Sequence, residues 1–394
     1  MEDVFIRKIE IENVRHLKGI TIDIDENERK HLIITGKNGS GKTSVLEAFK
    51  SCILRFNKIR SDKLAENKST NTFRERWEAS NYAAFQAEKE MGISIPSQLS
   101  SINDLYKQGK LLLVYIKANK AIVNTIPKGI QKIPFQDVYD IDAKIGSNFI
   151  QHLVNLKAEA SFARDENDTE AAQKIKNWFN NFEKSLRLLF DDESLELIFD
   201  RKEYNFYFKL SNGNTPDINQ LSDGYSTILN IVAEIILRME KKSPMIHDMQ
   251  GIVLIDEIEA HLHVDLQKKI LPFLTNFFPR IQFICTTHSP FVISSNANCV
   301  IYDLEKQIRI EDATGYSYDT LIESYFDSDK YSHIVADKVE EFETLSSKSE
   351  LSDEEKSKLF RLESYFERVP KVFAPELNVK LQQIKLKQLK RKTA

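Results

Sequence analysis

Residues 36–43 read Gly36-Lys37-Asn38-Gly39-Ser40-Gly41-Lys42-Thr43, a glycine, four residues, then Gly-Lys-Thr. That pattern suits one task, the holding of a phosphate chain. Glycines let successive backbone N–H groups converge on phosphate oxygens with no Cβ in the way. A helix opened at Lys42 aims its positive end at the same anion. Lys42 reaches the β- and γ-phosphates, and the Thr43 hydroxyl takes a Mg²⁺ position. The nucleotide-binding residues are therefore Asn38, Gly39, Ser40, Gly41, Lys42, Thr43 and Ser44. A chance glycine turn would not need every defined position of the motif.

A second chemical centre is Ile252-Val253-Leu254-Ile255-Asp256-Glu257, four apolar residues and then two acids. A buried strand delivers both carboxylates to the carboxyl edge of a sheet, where a phosphate loop also lies. Asp256 joins Thr43 in the Mg²⁺ shell, and Glu257 polarises the attacking water as general base. The second acid favours hydrolysis over mere binding; the alternative is a solvated strand end.

These residues need a scaffold. Alternation at period two predicts strands at 4–11 and 20–24, and the apolar run 31–35 a third, leading into the glycine loop. An amphipathic helix from about 42 to 59 carries Val45, Leu46, Phe49, Ile53 and Leu54 on one face. Helical tendency marks 60–110 and 147–190, with strands at 111–116, 195–199 and 204–210, and a helix over 224–240. Apolar strands at 251–256 and 281–287 flank a helix at 265–277, and a weaker strand at 299–303 has a hairpin partner at 307–311. Beyond 317 the pattern is helical, and neither repeats nor long heptads appear.

Composition narrows the class. The 394 residues carry 55 Lys+Arg and 59 Asp+Glu, a net charge of −4 that makes no global field for nucleic acid. Clusters at Lys50, Arg55, Lys58, Arg60 and Lys63, at Lys117, Lys120, Lys128 and Lys132, and at Lys385, Lys387, Lys390, Arg391 and Lys392 leave local DNA contact open. Three scattered cysteines make no disulfide framework, so a cytoplasmic location is expected. The N-terminus has no signal region, and no run of about 18 apolar residues is present to span a membrane. Glycine is scarce, at 12 residues, and four of them lie at Gly36, Gly39, Gly41 and Gly224.

Leu221-Ser222-Asp223-Gly224-Tyr225 opens an apolar helix between the two centres, and Thr287-His288-Ser289-Pro290 ends a strand after them. With these residues the chain resembles the ABC-type ATPases, in particular the soluble branch of the SMC, RecF and OLD proteins. The resemblance implies an α/β fold, an ABC-ATPase head built on a P-loop NTPase sheet with an N-terminal antiparallel β subdomain. Residues 1–311 would form the head, with helical lobe insertions at about 60–110 and 147–190, and 312–394 a helical extension for oligomer or partner docking. It implies ATP and Mg²⁺ as cofactors. Leu221, Ser222, Asp223 and Gly224 match the signature motif, His288 the switch histidine beside Glu257 and Lys42, and Asn38 a loop variant common in this branch. An ordinary Ser/Asp helix cap is the plainer reading of the signature alone.

Family logic then places two heads face to face. Each ATP lies between one head's phosphate loop and the other's signature, so a homodimer or higher homo-oligomer is implied. The Q-loop glutamine is missing from 115–120, and Asn119 or a water is left for that role. His261-x-His263-x-Asp265 fits the D-loop better than a metal site, since no third ligand is evident. Asp327-Ser328-Asp329 is similar to a Toprim D-x-D, but the expected accompanying motifs are lacking, so no nuclease is expected in this chain.

The tract from Trp178 through the signature, DEIEAHLHVDLQKKILPFL, THSPF and Glu323-Ser324-Tyr325-Phe326 is similar to the small ATPases of anti-phage operons of the Septu type. Those are encoded beside an HNH nuclease and also occur with retrons. The resemblance implies a regulatory ATPase whose nucleotide state restrains or licenses a nuclease partner. The alternatives are a RecF-like repair ATPase acting directly on DNA and a nucleotide-binding scaffold.

Overall fold

The computed structural model describes residues 3–66, 73–96, 98–117, 125–242, 249–321, 333–348, 351–367, 379, 381–384 and 386. The chain opens with β1 (Lys8–Val14), β2 (Leu17–Asp23) and β3 (His31–Thr35), then α1 (Lys42–Glu66). α2 (Phe73–Met91), β4 (Ile93–Ser94) and α3 (Leu99–Lys107) lead into β5 (Leu112–Ile116). The helices α4 (Phe149–Asp165) and α5 (Thr169–Phe190) precede the hairpin β6 (Glu196–Asp200) and β7 (Asn205–Lys209), and then α6 (Asp223–Met239). The remainder of this part is β8 (Gly251–Ile255), α7 (Val264–Phe277), β9 (Ile281–Thr286), the single turn α8 (Pro290–Ile293), β10 (Cys299–Asp303) and β11 (Ile308–Glu311). The chain divides into a unit of Met1–Tyr318 and a second of Asp319–Ala394.

Apolar runs set the main sheet, ordered β11-β10-β3-β9-β8-β5. All its pairs are parallel except β10 with the edge strand β11. Every residue of β3, β8, β9 and β10 is buried, as parallel strands covered on both faces require. The adjacency β3-β9-β8 brings three carboxyl ends side by side, carrying the glycine loop, Thr287-His288 and Asp256-Glu257.

The small antiparallel sheet is ordered β2-β1-β4. Its third strand is Ile93–Ser94, inside the stretch read from sequence as helical, since two residues are too few to leave a pattern. Gly92 introduces β4 at φ +67, and its carbonyl accepts from the N–H groups of Glu12 and Asn13. Regular pairing starts at Lys8 rather than at 4 because two glutamines take the preceding backbone. Gln282 accepts from the Ile6 N–H (2.7 Å) and donates to the Ile6 carbonyl (2.9 Å). Gln98 accepts from the Arg7 N–H (3.0 Å) and donates to the Phe5 carbonyl (2.6 Å).

The helical stretch 147–190 is two helices, parted by a turn where Asp168 caps α5 by accepting from the Ala171 N–H. Trp178 stacks on Phe182 at 5.3 Å, and Phe182 meets Phe149 edge-on. A strap at 141–146 ties α6 to α1. Buried Glu234 accepts from the N–H groups of Ile145 (3.0 Å) and Gly146 (2.7 Å), and Arg238 donates to Glu234 and to the Ala143 carbonyl. Asp142 at the other end of the strap accepts from Lys50 of α1 at 2.9 Å.

In the second unit, helices His333–Ser347 and Asp353–Glu367 share a core of Val339, Phe342, Leu345, Leu362 and Phe366. Asn119, Lys120, Glu323–Phe326, Asp327–Asp329, Lys385 and the basic tail from Lys387 lie outside the described residues. Among the described residues no helix is long and apolar enough to cross a membrane.

Candidate functional site

The loop after β3 has three glycines in backbone space closed to most side chains: Gly36 at φ +137, Gly39 at +85 and Gly41 at +97. A Cβ on Gly41 would stand 2.8 Å from Leu17, whereas one on Gly39 would meet nothing within 4 Å. Lys42 is buried and folds back on the loop, donating to the carbonyls of Gly36 (2.7 Å) and Lys37 (3.1 Å). Burial pulls its pKa below the usual lysine value, against the opposing pull of Glu259, Glu257, Asp256 and Asp303.

The two centres meet at one carboxylate. Asp256 Oδ1 accepts from the Thr43 hydroxyl at 3.1 Å and from the Thr286 hydroxyl at 2.7 Å. The same Thr286 oxygen accepts from the Glu257 N–H at 2.7 Å, so one buried threonine orients both acids. Glu257 adopts φ +50 and carries its side chain exposed past the strand end.

His288 reaches this edge from β9. Its N–H donates to Glu259 Oε1 at 2.8 Å, and its Nδ1 lies 3.0 Å from the same oxygen. Burial pushes the Glu259 carboxyl up, but hydrogen bonds from the His288 side chain and N–H and from Thr287 outweigh it and hold the pKa below the usual value. The hydrogen bond to Glu259 raises the His288 pKa. The half-exposed imidazole is thereby biased toward its charged form beside Lys42 and Glu257.

Leu221–Gly224 begins α6. Ser222 and Asp223 are exposed, and the Ser222 side chain makes no capping hydrogen bond, unlike the plain helix cap. Gly224 packs closely on the segment before α7, and a Cβ there would meet the end of the Leu266 side chain at 2.8 Å and the His261 carbonyl at 3.4 Å. His263 pairs with Asp265 at 3.6 Å, both exposed, and among the described residues no group of three His, Cys, Asp or Glu is placed to hold a metal.

Several expected cations are already paired: Lys50 with Asp142, Arg55 with Glu90, Arg60 with Asp104 and Lys117 with Glu47. Sequence reasoning missed Thr286, Glu259 and the buried Asp303 near Gly36. The available signals were the second threonine before His288 and the acid two places after Glu257.

The donors fit a magnesium nucleotide. Thr43 and Asp256 offer the oxygen ligands that Mg²⁺ takes. Ser40 Oγ and Glu259 Oε2 are buried polar atoms with no hydrogen-bond partner among the described residues.

Comparison with known proteins agrees with this chemistry. A model of the "AAA ATPase domain" matches residues 5–141, and one described as "AAA domain, putative AbiEii toxin, Type IV TA system" matches residues 129–294. The Septu protein PtuA of Bacillus mycoides is 28% identical over 294 residues, 73% of this chain and 38% of that protein. The "Retron Ec83 probable ATPase" of Escherichia coli is 50% identical over 76 residues, 18% of this chain and 14% of that protein. The chain thus spans well under half the length of these relatives. Among solved structures, an SMC head bound to the C-terminal winged-helix domain of ScpA is similar at 14% identity and TM-score 0.40, over 78% of this chain and 96% of that one. Its phosphate loop, the parallel sheet that carries it and the matches to two ATPase-domain models give the chain an α/β P-loop ATPase fold, and in sequence it is similar to the Septu and retron ATPases.

Proposed function

We propose that the chain hydrolyses ATP with Mg²⁺ as a cytoplasmic regulatory subunit of an anti-phage defence complex, in which paired heads control a partner nuclease of the HNH type. The observation that carries the catalytic part is the Thr43–Asp256 contact at 3.1 Å, which joins two oxygen donors separated by 213 residues. Similarity to PtuA and to retron ATPases supports the defence setting.

Lys42 leaves the Gly36 and Lys37 carbonyls for the β- and γ-phosphate oxygens, and the N–H groups of Gly39–Ser44 cradle the chain. Thr43 and Asp256 hold Mg²⁺, which neutralises charge on the phosphates when bound. Glu257 accepts the proton of the attacking water, and Thr286 keeps its backbone in place. His288, held by Glu259, presents its imidazole to the γ-phosphate side. Ser222 and the N–H of Gly224 from a second copy close the site across the dimer, at an α6 N-terminus where Ser222 and Asp223 are exposed.

Steady-state ATP hydrolysis and native mass measurement test this together. Glu257→Gln should lose turnover about 100-fold or more and accumulate an ATP-bound dimer. Undiminished turnover removes Glu257 as the base. A lone monomer in every nucleotide state removes the paired-head arrangement.

A further inference from the structure

A groove of about 1090 Å³ lies between the α4–α5 pair and the β6–β7 hairpin, apart from every residue of the nucleotide site. Its walls carry Lys157, Arg164, Lys176, Arg201 and Lys202 against one acid, Asp200. Arg164, Lys176, Arg201 and Lys202 are exposed. Lys157 lies 3.8 Å over the Phe179 ring, which forms part of the lining.

None of these five cations forms an ion pair with a described residue, although their neighbours do. Lys174 pairs with Glu170, Lys209 with Glu196 and Lys269 with Asp191. In a chain of net charge −4, five cations from three separate elements with no ion-pair partner among the described residues make a local positive field that attracts an anion. Lys157 and Arg164 stand two helical turns apart on one side of α4, about 10 Å along the axis. Lys176 lies on α5 with Gln173 and Asn180, which also line the groove and offer neutral amide donors. Such a mixture of spaced cations and amides is the usual partner of phosphate and sugar oxygens. Asp165 at the end of α4, with Glu166 and Asp168 in the turn before α5, sets negative charge beside Arg164 and Thr169 at one end of the groove.

We propose that this groove binds the sugar–phosphate backbone of a nucleic acid, independently of base sequence. A strand with evenly spaced charges answers all five cations, whereas a protein segment would need an unbroken acidic run to do so.

Fluorescence anisotropy with the full chain and labelled single-stranded DNA, duplex DNA and RNA of one sequence tests the assignment. Full engagement gives a slope of log affinity against log salt of about −3.5 for a single strand or −4.5 for a duplex. Lys176→Gln, Arg201→Gln and Lys202→Gln combined should weaken binding about tenfold or more and flatten the slope by about 2 to 3. Lys174→Gln, which removes a paired neighbour, should leave both unchanged, and ATP turnover should survive in every variant. No binding by the wild type, an unaltered triple variant, or an equal effect of Lys174→Gln overturns the proposal. So does tighter binding of poly-glutamate than of every nucleic acid, which would make the groove a site for an acidic peptide.

Discussion

His288 grips Glu259 twice, through its backbone N–H at 2.8 Å and through Nδ1 at 3.0 Å, both at Glu259 Oε1. This raises the His288 pKa, so the charged pair is complete below the ordinary histidine value of 6.5 and is lost as pH rises through the raised one. Glu259→Gln removes the anion, and the imidazole pKa should fall back. The alkaline limb of the ATP turnover profile should then move to lower pH. NMR titration of the imidazole beside the rate profile checks this, and an unmoved titration would show that the pair is not what tunes His288.

Thr286 is wholly buried and serves both acids, donating to Asp256 and accepting from the Glu257 N–H. Thr286→Val keeps the shape and strands that N–H, at a cost of about 1–3 kcal/mol. Turnover should fall about 10–100-fold, chiefly through weaker Mg²⁺ affinity, as for other residues that orient a metal ligand. A Mg²⁺ titration of the variant decides the matter; an unchanged midpoint contradicts the orienting role.

Two glycines with similar backbone angles should behave differently. At Gly92 a methyl would stand 2.0 Å from the Asn13 carbonyl oxygen, which is rigid backbone. Gly92→Ala should therefore cost roughly 2–4 kcal/mol of stability and lower Tm. At Gly39 space is open, so Gly39→Ala carries only the backbone cost of about 1–2 kcal/mol and should spare Tm by comparison. Its loss should appear in nucleotide affinity, measured by calorimetry.

His31 opens β3, and its Nδ1 accepts from the Phe283 N–H at 3.1 Å. Burial pushes its pKa down to about 4 from 6.5. The folded chain keeps it neutral while the unfolded chain takes the proton first. Its contribution is full above pH 6.5 and drains as pH falls to about 4, by about 3 kcal/mol in all. His31→Asn retains an acceptor without the proton, so its Tm should depend less on pH over that window. Parallel Tm profiles would refute the assignment.

The parts of this molecule legible in its sequence are those dictated by residue type alone. The runs 31–35 and 299–303 coincide with β3 and β10, because a strand buried on both faces can carry little but apolar residues. The glycine loop was readable because only glycine supplies its backbone angles. Glu259 and Thr286 were not, because their partners are fixed by the adjacency of β8 and β9 rather than by local spacing. The delayed start of β1 depends on Gln282, a polar residue inside an apolar strand whose amide finds its partners 276 positions away. The groove cations gave no linear signal, since α4, α5 and the β6–β7 turn contribute them separately.

The strap at 141–146 has a mechanical corollary. Arg238 and Glu234 clamp it to α6, and Lys50 clamps it to α1, the helix that starts at the phosphate loop. Sliding α6 relative to α1 within one chain breaks the partly exposed Lys50–Asp142 pair first, because the Glu234 and Arg238 side chains that hold the strap are buried. The strap therefore belongs with α6 as one piece, and its seam with α1 is the ion pair at Asp142.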